Sequence, residues 1–124
     1  MTAPHLRKGR QGEDFARRWL EANGLRHISS NFSCRFGELD LVMLDHACLV
    51  IIEVRYRSNP GYGGALMSIS ARKRMRIARA TECFRQQHRQ FAKTDLRFDV
   101  LALSGPTAEP RVDWRKRAFN FDDR

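Results

Sequence analysis

The stretch at residues 36–57 reads FGELDLVMLDHACLVIIEVRYR. It holds two apolar runs, each interrupted by an acid. Leu39, Leu41, Val42, Met43 and Leu44 surround Asp40; Leu49, Val50, Ile51, Ile52 and Val54 surround Glu53. Only the short polar break Asp45-His46 separates them, which predicts a β-hairpin. A two-residue loop at His46-Ala47 pairs Asp45 with Cys48. The same register sets Asp40 opposite Glu53 on one side of the sheet, with Cβ atoms about 4.5–5.5 Å apart. A loop one residue longer or shorter puts the two acids on a diagonal, and no Asn-Gly or Asp-Gly pair pins the choice.

Carboxylates facing each other in a half-buried sheet repel, so a cation or a shared proton must relieve them. A divalent metal with oxygen ligands is one solution. A wet sheet edge, with each acid paired to a neighbouring arginine, is the other.

Outward from the hairpin, the chain reads as one domain over residues 9–119, between a flexible basic tail at 1–8 and a C-terminal tail at 120–124. At 124 residues it buries roughly two-thirds of its unfolded surface, enough for a core without staples. A helix is expected from about Arg10 to Ala22, with Phe15, Ala16, Trp19, Leu20 and Ala22 on its apolar stripe and Asn23-Gly24 as its stop. Leu25 to Phe32 reads as a strand ahead of the hairpin. After it, SNPGYGG is a loop, because Pro60, Gly61, Gly63 and Gly64 forbid regular structure. Ser70 is placed to cap a long helix over Ala71–His88, with Met75, Ile77, Ala78, Thr81 and Phe84 inward and arginine outward. Leu96–Leu103 and Arg111–Phe119 complete the strands. The order α-β-β-β-α-β-β predicts an α/β fold: a mixed β-sheet with a central antiparallel hairpin, flanked by helices.

The formal net charge is +9, which calls for a polyanionic partner, most often nucleic acid. Most of the excess lies on one element, since residues 71–90 carry seven cationic side chains against the single acid Glu82. The longest clean apolar stretch, Ala47–Ile52, is far too short for a bilayer, and the N-terminus has no secretory h-region. Cys34, Cys48 and Cys83 show no CxxC spacing, so a reducing, cytoplasmic setting without a disulfide frame or zinc knuckle is expected. His5, His27, His46 and His88 have no metal-like spacing. Asp99, set among apolar residues, reads as a salt-bridge partner of Arg97 or of a neighbouring-strand arginine, with a supporting metal ligand as the other option.

Glu53 and Arg55 are two residues apart on one strand and share a face. The pattern is an Asp, then Glu-x-Arg on the next strand; with lysine in place of arginine it would be a metal-dependent nuclease signature. The sequence resembles the PD-(D/E)xK, restriction-endonuclease-like superfamily, and within it the YraN-like family of small bacterial proteins. The pieces that carry the likeness are RQGEDFARRWL, NFSCRFGELDLV, LVIIEVRYR, ARKRMRIARA, RFDVLAL and WRKRAF, so it spans about Gly9 to Phe119.

The resemblance implies that Asp40 and Glu53 bind Mg2+ or Mn2+, with the Val54 carbonyl as a further ligand. Glu13 resembles the first-helix acid of junction-resolving members, although its place near a helix N-terminus is also a sufficient structural reason for an acid there. The implied activity is a strand cut in DNA rather than RNA, at a branched or damaged structure, with Arg57, Arg72, Lys73, Arg76 and Arg79 contacting phosphates and a homodimer as one assembly. Arg55 departs from the pattern: an arginine cannot act as a base, but it can hold a phosphate and stabilise developing charge. Lys73 is the other candidate for the missing amine. Three functions stay open at this level: a magnesium-dependent endonuclease, a nucleic-acid-binding module that does not cut, and a structural protein that binds another protein.

Overall fold

The computed structural model describes residues 4–57, 69–106 and 108–120. Helix α1 spans Pro4–Ala22; strands β1, β2 and β3 span Arg26–Cys34, Gly37–Asp45 and Cys48–Arg57. Helix α2 spans Ala71–Gln87, and a short 3-10 turn, Arg89–Phe91, leads into β4, Asp95–Ser104, and β5, Arg111–Phe119. The five strands form one sheet in chain order. Only β3 and β4 run parallel, joined through α2; the other pairs are antiparallel. This mixed α/β architecture is compatible with a restriction-endonuclease-like fold.

The hairpin takes the expected register, from Asp45 with Cys48 up to Leu41 with Ile52. His46 makes the two-residue loop work without glycine by adopting φ +55°, a left-handed conformation open to few L residues. Strand β3 is buried at five successive positions, Leu49–Glu53, as a central strand covered on both faces must be. Alternation then divides its side chains. Leu49 and Ile51 pack with Val42, Phe98, Val100 and the Ile77, Ala80 and Phe84 face of α2. Val50 and Ile52 pack with Leu41, Met43, Leu101, Leu103 and the Ala16 and Leu20 stripe of α1. The helices therefore cover opposite faces.

Helix α1 starts earlier than the sequence suggests, at Pro4 rather than about Arg10. Residues 4–8, expected as part of a tail, belong to it, and Gly9 and Gly12 lie inside it. Proline suits a first helical position, where no N–H is needed. Gly12 faces the sheet, where a Cβ would make ordinary van der Waals contact with Leu103 Cδ1 at 3.7 Å and Tyr56 Cβ at 3.9 Å. Ser70 caps α2 as expected, its side chain accepting from the Lys73 N–H at 3.2 Å. The Pro60–Gly64 loop and the tail from residue 121 lie outside the described residues.

Candidate metal centre and basic face

The hairpin register carries Asp40 and Glu53 one step beyond the Leu41–Ile52 pair, at the Gly37 end of β2 and toward the C-terminal end of β3. Glu53 is 8 % exposed in its side chain. Asp40 Oδ2 accepts a hydrogen bond from the Val54 backbone N–H at 2.9 Å. Burial pushes Asp40 up to about 7, and the neighbouring Glu53 and Glu13 charges push in the same direction; the Val54 N–H offsets only part of this. Burial also raises Glu13, with a hydrogen bond to Asn31 acting against it and Glu38, Glu53 and Asp14 adding to it. The three acids thus share one negative field. They do not close into a three-ligand cage: among the described residues no group of three or more His, Cys, Asp or Glu side chains is arranged to hold a metal ion.

Two cations reach Glu53. Lys73 Nζ lies 2.7 Å from Oε1, and Arg55 Nε lies 3.7 Å from the same oxygen. That Arg55 nitrogen is buried and has no hydrogen-bond partner among the described residues. Lys73 comes from a different element, the first turn of α2. Linear sequence does not show that it reaches this acid; the Ser70 cap fixes only where that turn begins.

The donor set suits a hard divalent cation, since Asp40 and Glu53 offer carboxylate oxygens with the Val54 backbone beside them. The closeness of Asp40 to Glu53 and Glu13 is in favour: a half-buried carboxylate repelled by its neighbours is relieved by positive charge.

Arg72, Arg76 and Arg79 stand exposed along α2, and among the described residues no acid lies within ion-pair distance of them. Their neighbour is the β1–β2 turn. The Arg35 and Arg79 guanidinium carbons lie 4.8 and 5.8 Å from the Phe36 ring centroid. A Cβ on Gly37 would meet Arg76 Cβ at 3.4 Å, so the turn lies in van der Waals reach of the helix. Arg57 is exposed at the end of β3.

Asp99 lies elsewhere and does not join the acids. It is fully buried and accepts from Arg97 Nε at 3.2 Å, Trp114 Nε1 at 3.0 Å and the Arg117 N–H at 3.0 Å. Arg97 also donates to Asp45 at 2.8 Å. The salt bridge expected for Asp99 is present; the share taken by Trp114, by Asp45 and by Arg117, whose left-handed φ of +54° sits at an irregularity within β5, was not visible in the sequence.

Comparison with known proteins agrees over most of the chain. The profile of the uncharacterised protein family UPF0102 matches residues 12–103. A UPF0102 protein of Ectopseudomonas mendocina (strain ymp) is 51 % identical over 116 residues, covering 94 % of this chain and 97 % of the relative. One from Pseudomonas aeruginosa (strain LESB58) is 47 % identical over 115 residues, covering 91 % and 92 %. One from Alkalilimnicola ehrlichii is 44 % identical over 117 residues, covering 94 % and 90 %.

Proposed function

We propose that this chain, which belongs to the uncharacterised protein family UPF0102, is a divalent-metal-dependent endonuclease that hydrolyses phosphodiester bonds of DNA, at branched or repair intermediates. The observation that carries this reading is a half-buried Asp40 beside a buried Glu53 that meets Lys73, at the N-terminal end of a helix whose outer face is arginine. Asp40, Glu53 and the Val54 carbonyl would hold Mg2+ or Mn2+. When bound, such an ion polarises the scissile phosphate and acidifies a water.

The chain's own residues supply the rest. Arg57, Arg72, Arg76 and Arg79 hold the DNA backbone; such contacts set affinity and register but carry no sequence information. Arg55, beside Glu53, offers its guanidinium to a phosphate oxygen and stabilises the charge that develops there. Glu13 adds negative charge beside the pair and orients water. Hydrolysis joins the water oxygen to phosphorus as one ester bond breaks; one proton ends on the leaving oxygen and the other in solvent.

The test is cleavage of duplex, branched and single-stranded DNA with Mg2+ or Mn2+. Asp40→Asn and Glu53→Gln are expected to lose at least about a hundredfold in rate, with the circular dichroism spectrum unchanged. Wild-type protein that cuts none of these substrates ends the proposal.

A second reading, a module that binds nucleic acid without cutting, draws support from the arginine at position 55. In that case Asp40→Asn leaves DNA affinity unchanged or improves it. Reversing charge at Arg72, Arg76 and Arg79 weakens binding in either case, and it lowers the log–log salt slope by about 1 for each phosphate the protein no longer holds.

A further inference from the structure

The structure places an amine where the strand pattern omits one. Position 55 carries arginine, whose Nε stops 3.7 Å from Glu53. Lys73 crosses from α2 and stops at 2.7 Å from the same oxygen. Its backbone is held firmly. The Lys73 N–H bonds Ser70 Oγ, the Arg74 N–H bonds the Ser70 carbonyl at 2.9 Å, and Arg74 Nη1 bonds the Ile69 carbonyl at 2.6 Å. Ile69 is itself buried in the core beneath α2. The root of Lys73 is thus anchored, while its side chain remains 46 % exposed over a Glu53 that is 8 % exposed. Arg97, by contrast, is 9 % exposed and braced between two acids.

An anchored root with a solvent-reaching head describes an exchangeable partner. Lysine carries a compact charge on a flexible stem with three donors, so it can leave one acceptor for another without rebuilding a planar fork. Among the described cations of α2, Lys73 is the one paired with an acid of the centre.

We propose that Lys73 is the working lysine of this centre: it neutralises Glu53 while no divalent cation is bound, and once Glu53 turns to a divalent cation its ammonium moves onto the phosphate and the attacking water. The first half stands on the observed ion pair alone; the second rests on the nuclease reading above. Arg55 is then a phosphate clamp, and the task of the strand lysine has passed to a helix. Lys73 transfers no proton in this scheme; it positions water and phosphate by donating hydrogen bonds.

The test uses Lys73→Ala, Arg55→Lys and the double variant, each with its melting temperature checked against wild type. Without DNA, Lys73→Ala is expected to bind Mn2+ about fivefold or more tightly by calorimetry, because two cations that compete for one acid are reciprocally coupled. With DNA and Mn2+, it is expected to lose about a hundredfold in single-turnover rate, with KM changed far less. Arg55→Lys in the Lys73→Ala background restores a large part of that loss, because it returns an amine to the strand two residues from Glu53. A purely structural ion pair would tighten Mn2+ binding but would show no such rescue. Unchanged Mn2+ affinity, or a folded double variant as slow as Lys73→Ala, overturns the proposal. If wild-type protein cuts no DNA, the nuclease reading fails and takes the phosphate role with it; the Mn2+ affinities then still decide whether Lys73 is an exchangeable partner of Glu53.

Discussion

Glu53 and Asp99 are buried acids on neighbouring parallel strands, one register step apart, with Glu53 beside Val100 and Asp99 beside Ile52. Alternation points them to opposite faces of the sheet, Glu53 toward α2 and Asp99 toward α1. Asp99 is saturated: Arg97, Trp114 and the Arg117 N–H fill its acceptor sites, and Asp45 holds the far end of Arg97. Glu53 has a half-exposed lysine, an arginine too distant to bond, and a second acid close by. A fully donated carboxylate is a brace. A carboxylate that sits beside a second acid and meets a half-exposed lysine is, on the reading proposed above, a receptor for positive charge.

The contrast breaks most visibly at the brace. Asp99→Ala leaves Arg97 buried with only Asp45 to meet it, and it frees the Trp114 and Arg117 N–H groups. Removing one partner of a buried pair costs about 3–5 kcal/mol, which lowers the melting temperature of a domain this size by about 10–20 °C. A loss no larger than that of a surface substitution would mean the cluster is not a brace.

The receptor side is sharpened by pH. Asp40 rises from 3.8 to about 7 on folding, so the folded chain binds its proton more tightly than the unfolded chain. That contribution to stability is complete below 3.8 and disappears as pH rises through about 7. In buffer free of divalent cations, denaturation midpoints should therefore fall between pH 5 and pH 8, by at most about 1.4 kcal/mol per pH unit. Asp40→Asn should flatten the dependence; a slope that persists in that variant would assign it to another group. The smallest expected effect is Trp114→Phe, which removes one donor to Asp99 and leaves a smaller aromatic ring where Trp114 now packs edge-on against Trp19 at 5.7 Å. A cost of about 1–2 kcal/mol, read from chemical denaturation, fits one unsatisfied buried acceptor position.

The hairpin, its register and the cap of α2 could be read from neighbouring residues, because period-2 alternation and a short loop leave few ways to pair. The start of α1 could not. The expected helix begins at about Arg10, yet α1 runs from Pro4 through Gly9, and nothing in the residues before Arg10 marks that earlier start.

The chain alone determined which acids stand on which strand, that Glu53 and Arg55 share a face, and that positive charge gathers on one helix. These follow from local spacing and composition. Packing decided that Lys73 meets Glu53, that Arg97 joins Asp45 to Asp99, and that Glu13 adds its charge to the Asp40 pair. Each of those meetings joins elements far apart in sequence, and their distances depend on how two helices settle on opposite faces of one sheet.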